Sequence, residues 1–188
     1  MIFDAVVLAG GEGLRMGGVD KAALALDGEA LLEMVLDGVR DAERVVVVGP
    51  KRFDRTGLLW TSEDPPGGGP AAALDAGLQL VNAPTVAVVA VDHPFVTREL
   101  VAELARLLEE GVDGVAVSDE KGVAQPLVAV YRTGALRHAL GAMPSVAGAS
   151  MREVTSYLRV VLVEDPAAAR DIDTPADLEA ARRLRRDG

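Results

Sequence analysis

The sequence contains no cysteine, which removes disulfides, thiolate nucleophiles and cysteine-ligated zinc or iron–sulfur centres from consideration. Aromatic residues are only 3% of the chain, too few for the stacked platforms on which single-stranded nucleic acid is held. Positive charge is also scarce: 19 Lys and Arg against 29 Asp and Glu give a formal charge of −10. Such a surface repels phosphate polymers unless a basic patch overrides it, and the sequence shows no such patch. Nucleic acid is therefore not an expected partner, and any anionic ligand must be small and held at a dedicated site. No apolar run approaches the ~20 residues that span a bilayer. Met1-Ile2-Phe3-Asp4 lacks the basic start and cleavage site of a secretory signal, so the expectation is a cytoplasmic protein without membrane contact.

What is present is an apolar, foldable chain. Its 188 residues, 49% hydrophobic, suit one domain over 1–188 with a continuous core. Short apolar runs alternate with longer amphipathic stretches, the pattern of strands feeding helices in a mostly parallel sheet. The expected fold class is α/β, a three-layer sandwich around a Rossmann-like central sheet. Strands are expected at Ala5 to Leu8, Ala23 to Leu26, Arg44 to Val48, Thr85 to Val91 and Arg159 to Val163. Val112 to Val117 and Pro126 to Tyr131 flank the turn Glu120-Lys121-Gly122 and are expected to pair as an antiparallel hairpin. Helices are expected over Glu29 to Arg40, Ala71 to Leu80 and Gly134 to Leu140, after Thr97 as N-cap, after the small-residue loop Met143 to Ala149, and after Thr174 with Pro175 at the first position.

Three loops stand at expected carboxyl ends of strands, where open parallel sheets bind ligands: Gly10 to Gly18, Asp64 to Pro70, and Asp92 to Pro94. In the first, five of nine residues are glycine, so backbone N–H groups can converge on an anion without a Cβ in the way. Arg15 and Lys21 add positive charge beside it. The loop is neither common phosphate binder: Met16 stands where a dinucleotide fingerprint needs Gly or Ala, and Lys21 lies between Asp20 and Ala22 rather than in a P-loop frame. On residues alone, Arg15 and Lys21 are equally readable as solvated charges, Asp92 as a turn residue, and Asp173 as a helix-starting acid beside Thr174. His93 reads as structural, with a substrate contact as the alternative, His138 as exposed, and Arg182, Arg183, Arg185 and Arg186 as a solvated helix end.

Leu8-Ala9-Gly10-Gly11-Glu12-Gly13-Leu14-Arg15-Met16-Gly17 followed by Asp20-Lys21 resembles the signature LAGGxxxRMGxxDK of the molybdenum-cofactor guanylyltransferase family of nucleotidyltransferases. Glu63-Asp64-Pro65-Pro66-Gly67-Gly68-Gly69-Pro70 resembles the family's second nucleotide loop, Val91-Asp92-His93-Pro94-Phe95 its metal segment, and Asp171-Ile172-Asp173-Thr174-Pro175 its closing motif. The four stretches, in register, span nearly the whole chain. The resemblance implies transfer of GMP from GTP to the phosphate of molybdopterin, with pyrophosphate released and Mg²⁺ as cofactor. It implies nucleotide binding by Leu8, Ala9, Gly10, Gly11, Gly13, Arg15, Lys21, Asp64, Gly67, Gly68 and Asp92, and catalysis by Arg15, Lys21 and Asp92. Asp92 matches the magnesium aspartate, with Asp171 and Asp173 as further candidate ligands. Asp64 and Glu63 are candidates for base choice. Transient contact with molybdoenzymes is part of the same expectation.

The sequence departs from the family at Gly49-Pro50, where an Asn is common, and in the neighbours Val91 and His93 of the metal aspartate. These departures bear on base and acceptor. A cytidylyl- or sugar-phosphate nucleotidyltransferase of the same fold, or a nucleotide-binding protein without catalysis, therefore stays open at this point.

Overall fold

The computed structural model describes residues 2–10, 12–13, 19–64 and 66–187. In chain order the elements are β1 (Asp4–Leu8), β2 (Glu12–Gly13), β3 (Val19–Asp20), a 3₁₀ turn (Lys21–Ala23), β4 (Ala25–Leu26), β5 (Glu29–Ala30), α1 (Leu31–Gly38), β6 (Val45–Val48), β7 (Leu58–Thr61) and α2 (Gly69–Leu78). There follow β8 (Thr85–Ala90), α3 (Arg98–Arg106), β9 (Gly114–Ser118), β10 (Ala124–Arg132), α4 (Thr133–Ala142), α5 (Met151–Thr155), β11 (Val160–Glu164) and α6 (Pro175–Asp187). Seven strands form one sheet in the order β11-β9-β10-β8-β1-β6-β7. Every pairing in it is parallel except those of β10, which runs antiparallel to both β8 and β9.

The three layers follow from the period-2 alternation of the strands. Ala5 and Val7 of β1, Val45 and Val47 of β6, and Ala87 and Val89 of β8 face a core completed by Leu32 and Val35 of α1, Leu100 and Leu104 of α3, and Leu178 of α6. The alternate residues Val6, Leu8, Val46, Val48, Val86 and Val88 face the opposite core, with Leu74 and Leu78 of α2, Leu136 of α4 and Val154 of α5. Both faces are covered, so the inner strands are buried at every position. Among the described residues no helix is long and apolar enough to cross a membrane.

The expected hairpin is present, with Ala124 opposite Ser118 and Gly122 in the left-handed region at its turn. Thr97 caps α3, accepting a hydrogen bond from the Leu100 N–H. The α6 start is reciprocal: the Asp177 N–H donates to Thr174 Oγ1, and the Thr174 N–H donates to the Asp177 carboxylate.

Four local expectations are corrected. Lys21–Ala23 is a 3₁₀ turn, so only Ala25–Leu26 of the expected early strand is extended, paired with Glu29–Ala30 across the Asp27-Gly28 turn. Helix α1 consequently begins at Leu31 and ends at Gly38 rather than spanning Glu29 to Arg40. Strand β7 is additional to those expected. It is an edge strand of four residues, half-buried, whose apolar run is too short to announce itself. Helix α2 begins at Gly69, taking Pro70 into its first turn, where proline's missing N–H costs nothing.

Candidate active site

The site assembles at the carboxyl edge of the sheet. The parallel strands β1, β6 and β8 deliver Ala9, Gly49 and Val91 there, stitched by Ala9 N–H to Val48 O (2.8 Å), Gly49 N–H to Thr61 O (2.8 Å) and Val91 N–H to Leu8 O (2.9 Å). Because β10 runs the other way, its first residues lie at the same edge. The stem of the first glycine loop is thus fixed: Leu8 and Ala9 are buried and Gly10 is exposed. Gly13 lies in β2, paired with Val19. Gly11 and Arg15 lie outside the described residues.

Gly49 explains the departure from the family's Asn. Its φ is 146°, and a Cβ there would sit 2.9 Å from both the Ala9 carbonyl carbon and the Gly10 nitrogen. The backbone after β6 therefore packs directly against the glycine loop's stem, an approach that only glycine permits. Just beyond it, Arg52 donates to the Ala9 carbonyl at 3.3 Å and the Pro50 carbonyl at 2.9 Å. Sequence reasoning missed this cation at the loop stem. Its signal was a Lys51-Arg52 pair directly after a strand end in an acidic chain.

Lys21 is the centre of the charged cluster. Its Nζ lies 3.1 Å from Asp92 Oδ2 and also hydrogen-bonds Asp173 Oδ1, so residues far apart in sequence hold one ammonium. The side chains are 17%, 23% and 31% exposed respectively, open enough for a ligand yet shielded enough for the charges to matter. Burial acts to lower the Lys21 pKa, but the hydrogen bond to Asp173 and the charge of Asp92 outweigh it, and the net shift is upward. Lys21 is therefore a fixed cation. Two carboxylates against one ammonium leave a net negative charge.

Asp173 reaches this point because the Ile172 N–H donates to the Asp92 carbonyl at 2.9 Å, tying the closing motif to the turn after β8. The helix-starting role that the residues alone left open for Asp173 belongs instead to Asp177 and Thr174. Asp171 is exposed and lines the same cavity as Asp92 and Asp173. Among the described residues no three ligating side chains converge. A hard dication needs no such trio, since magnesium takes one or two protein carboxylates and fills its remaining positions with water and phosphate oxygens. Asp92 and Asp173 fit that requirement. His93 is buried, its Nδ1 3.2 Å from the Ala168 carbonyl oxygen, where it props the turn that carries Asp92, and it also lines the cavity beside that aspartate.

The second glycine loop is shaped by its own backbone. Glu63 accepts from the Gly67 N–H at 3.2 Å, Gly67 has a φ of 80°, and the buried Gly68 accepts from the Gly148 N–H at 2.8 Å. Asp64 is exposed, and its carboxylate bonds no described residue. Of the two acids considered for base choice, Glu63 is therefore engaged in the loop itself and Asp64 is the one facing solvent. His138 is exposed, as expected. Arg185, by contrast, is no solvated terminus: it donates to the Leu26 carbonyl at 3.1 Å and to Glu29 at 3.3 Å, clamping α6 onto the β4–β5 hairpin.

Beside the Lys21 cluster opens a cavity of about 530 Å³ lined in part by Asp92, Asp173, Gln125, Leu127, Met151 and Arg152. Its wall depends on an irregularity in β10. Gln125 pairs with Val117, but the next β9 partner, Ala116, pairs with Ala129, so Pro126 to Val128 bulge out of the ladder with β9. The buried Tyr131 hydroxyl donates to the Pro126 carbonyl at 2.8 Å and holds this bulge. Gly114 makes room for the Tyr131 ring, which a Cβ would meet at 2.3 Å. Sequence reasoning named only the acids on one side of this cavity, because a bulge in one strand has no residue signature.

Comparison with known proteins agrees with this fold. A molybdenum cofactor guanylyltransferase from Bradyrhizobium sp. (strain ORS 278) is 33% identical over 95% of this chain and 91% of its own length. The solved structure of molybdopterin-guanine dinucleotide biosynthesis protein A from Archaeoglobus fulgidus superposes with a TM-score of 0.75 at 23% identity, covering 98% of this chain and all of that one (100%). That of 2-C-methyl-D-erythritol 4-phosphate cytidylyltransferase from Thermus thermophilus does so with a TM-score of 0.70 at 25% identity, covering 99% and 100% of the two chains. The MobA-like NTP transferase domain family matches residues 5–161. The family model spans most of the chain and the Bradyrhizobium relative is covered nearly end to end, so the chain belongs to the MobA-like NTP transferase family.

Proposed function

We propose that the protein transfers GMP from GTP to the phosphate of molybdopterin and releases pyrophosphate. The observation that carries the reading is the pairing of Lys21 with Asp92 and Asp173 at the carboxyl edge beside the glycine-loop stem. The guanylyltransferase relatives support GTP over other nucleotides. In this reading an oxygen of the acceptor phosphate attacks the α-phosphorus, the α–β bridging bond breaks, and the electron pair leaves with pyrophosphate. A phosphate monoester is already anionic near neutral pH, so no protein base is needed. Lys21 stays charged throughout, and its ammonium can turn from the carboxylates to the triphosphate. Asp92 and Asp173 would hold Mg²⁺, which supplies charge neutralisation for the phosphates when bound. The protein's own contribution is positioning and fixed charge rather than covalent help.

Pyrophosphate release with each nucleoside triphosphate, with and without molybdopterin, tests the reading. Release with GTP that requires molybdopterin is the expected result. Turnover with CTP and an alcohol or sugar phosphate would assign the chain to the cytidylyltransferase side of the fold, and binding without turnover would make it a nucleotide-binding protein.

A further inference from the structure

The sheet ends on one side at β11, and among the described residues no strand pairs with its outer side. Its backbone phase is fixed by three bonds: the Asp113 and Gly114 N–H groups donate to the Arg159 carbonyl, and the Asp165 N–H donates to the Ser118 carbonyl. Backbone groups alternate sides along a strand. Residues 159, 161, 163 and 165 therefore bond inward to β9, and Val160, Leu162 and Glu164 present their N–H and C=O groups outward. Val163 packs against the core that holds α3 and Val160 against the one that holds α5. Each face of the strand thus also shows an open apolar residue, Val161 on one and Leu162 on the other, 45% and 43% exposed, and Tyr157 just before them is exposed too. Such an edge is normally blunted by a charge, a proline or a bulge. Here Val160 to Val163 are apolar without a break, and the register against β9 is regular. The sheet's other edge strand, β7, exposes only Leu59.

Parity and charge select the occupant. Residues opposite each other in an antiparallel pair share the same backbone phase, so a second β11 can dock only where outward residues meet outward ones. With Leu162 opposite its own copy, Val161 meets Val163, Val160 meets Glu164, and Arg159 meets Asp165. The next allowed register on either side sets Arg159 against Val163 or Ala167 and loses the charge pair. Both charged partners have capacity to spare: Asp165 uses Oδ1 for the Ala167 and Ala168 N–H groups, and Arg159 reaches Asp113 only at 3.9 Å.

We propose that β11 is a homodimer interface, in which two copies pair antiparallel about a twofold axis at Leu162 and join their two sheets into one, with an Arg159–Asp165 pair closing each end. The pairing is independent of the transferase reading. Two short strands bury less than the roughly 1,600 Å² of a standard interface, so the dimer is reversible, with a dissociation constant on the order of 10–100 µM.

Sedimentation velocity of the full chain from about 1 to 300 µM should show monomer passing into dimer. Leu162→Lys sets two ammonium groups opposite each other on the axis and should weaken dimerisation at least about 10-fold. Arg159→Glu faces a like charge and should weaken it by about 3- to 10-fold. Unfolding midpoints of the dilute variants, matched to the parent's, show that the fold is intact. Because the chain has no cysteine, a single introduced thiol reads the register. Leu162→Cys places two Cα atoms about 5.5 Å apart across the axis, within disulfide reach, and mild oxidation should link the copies. Glu164→Cys lies about 13 Å along the strands from its copy and should not link. A chain still monomeric at about 300 µM would overturn the proposal and leave the edge to a strand added by another protein. A dimer untouched by Leu162→Lys would overturn it as well, and linkage through Glu164→Cys in place of Leu162→Cys would overturn the register.

Discussion

The Tyr131 hydroxyl donates to the Pro126 carbonyl across 2.8 Å, joining a ring packed in one of the two cores to the bulged stretch of β10 that walls the cavity. This bond is expected to set cavity shape. Removing the hydroxyl with Tyr131→Phe should cost about 1 kcal/mol in denaturant unfolding, the typical value of one buried hydrogen bond. It should also raise KM for the acceptor while leaving KM for GTP within about twofold, a change far below one hydrogen bond's worth. An unchanged acceptor KM would detach the bulge from acceptor binding.

Asp92 and Asp173 share one ammonium but sit differently in the chain, one in the turn after β8 and one ahead of α6. Asp92→Ala should abolish magnesium-dependent turnover with the circular dichroism spectrum unchanged. Asp173→Asn should retain measurable turnover but require more magnesium, because one carboxylate remains for the ion. A magnesium titration of both variants decides this: equal behaviour of Asp173→Asn and the parent would remove Asp173 from the metal site.

Gly49 touches the glycine-loop stem where a side chain has no room. Gly49→Ala should lower stability by roughly 1–3 kcal/mol through overpacking. It should also raise KM for the nucleotide, since relief of the contact displaces Ala9 and Gly10. A variant as stable as the parent would show that the two backbones separate at little cost.

The side-chain hydrogen bond from Thr174, ahead of the backbone N–H groups of Thr174 and Asp173, holds the Asp177 carboxyl below its usual range. A depressed folded-state pKa contributes stability that is present above the unfolded value, about 3.9 for Asp. That stability is lost as the pH falls through the folded value. Asp177→Asn should therefore be less stable than the parent by about 1 kcal/mol at pH 7, the typical worth of a helix cap. The difference should shrink steadily in acid below about pH 4. A gap independent of pH would assign the loss to packing rather than charge.

Much of the scaffold was legible because it is written in local rules. The unbroken apolar runs of Val45–Val48 and Thr85–Ala90, the Thr97 and Thr174 caps, and the turn glycine at position 122 each act within a few residues of themselves. Strand β7 escaped notice because four residues on a sheet edge carry too little apolar periodicity. The start of α1 shifted because Glu29 and Ala30 are claimed by a pairing with β4 that only the Asp27-Gly28 turn makes possible. The charged residues Lys21, Asp92 and Asp173 were each recognisable as candidates, but no local rule said that all three meet. Arg52 was signalled only by the Lys51-Arg52 pair, and nothing local in the sequence said that its guanidinium reaches the Ala9 carbonyl.

The amino-acid sequence by itself determined the layered α/β class, the glycine-rich stem at the first strand and the acids of the metal segment and the closing motif, since backbone freedom, hydrophobic period and residue chemistry are properties of short stretches. Only the tertiary structure decided that Ile172 docks on Asp92, that Asp173 serves Lys21 while Asp177 caps the helix, and that a bulge held by Tyr131 opens a cavity facing Arg152. Those outcomes depend on distances between segments remote in the chain, and such distances are set by the packing of the whole sheet.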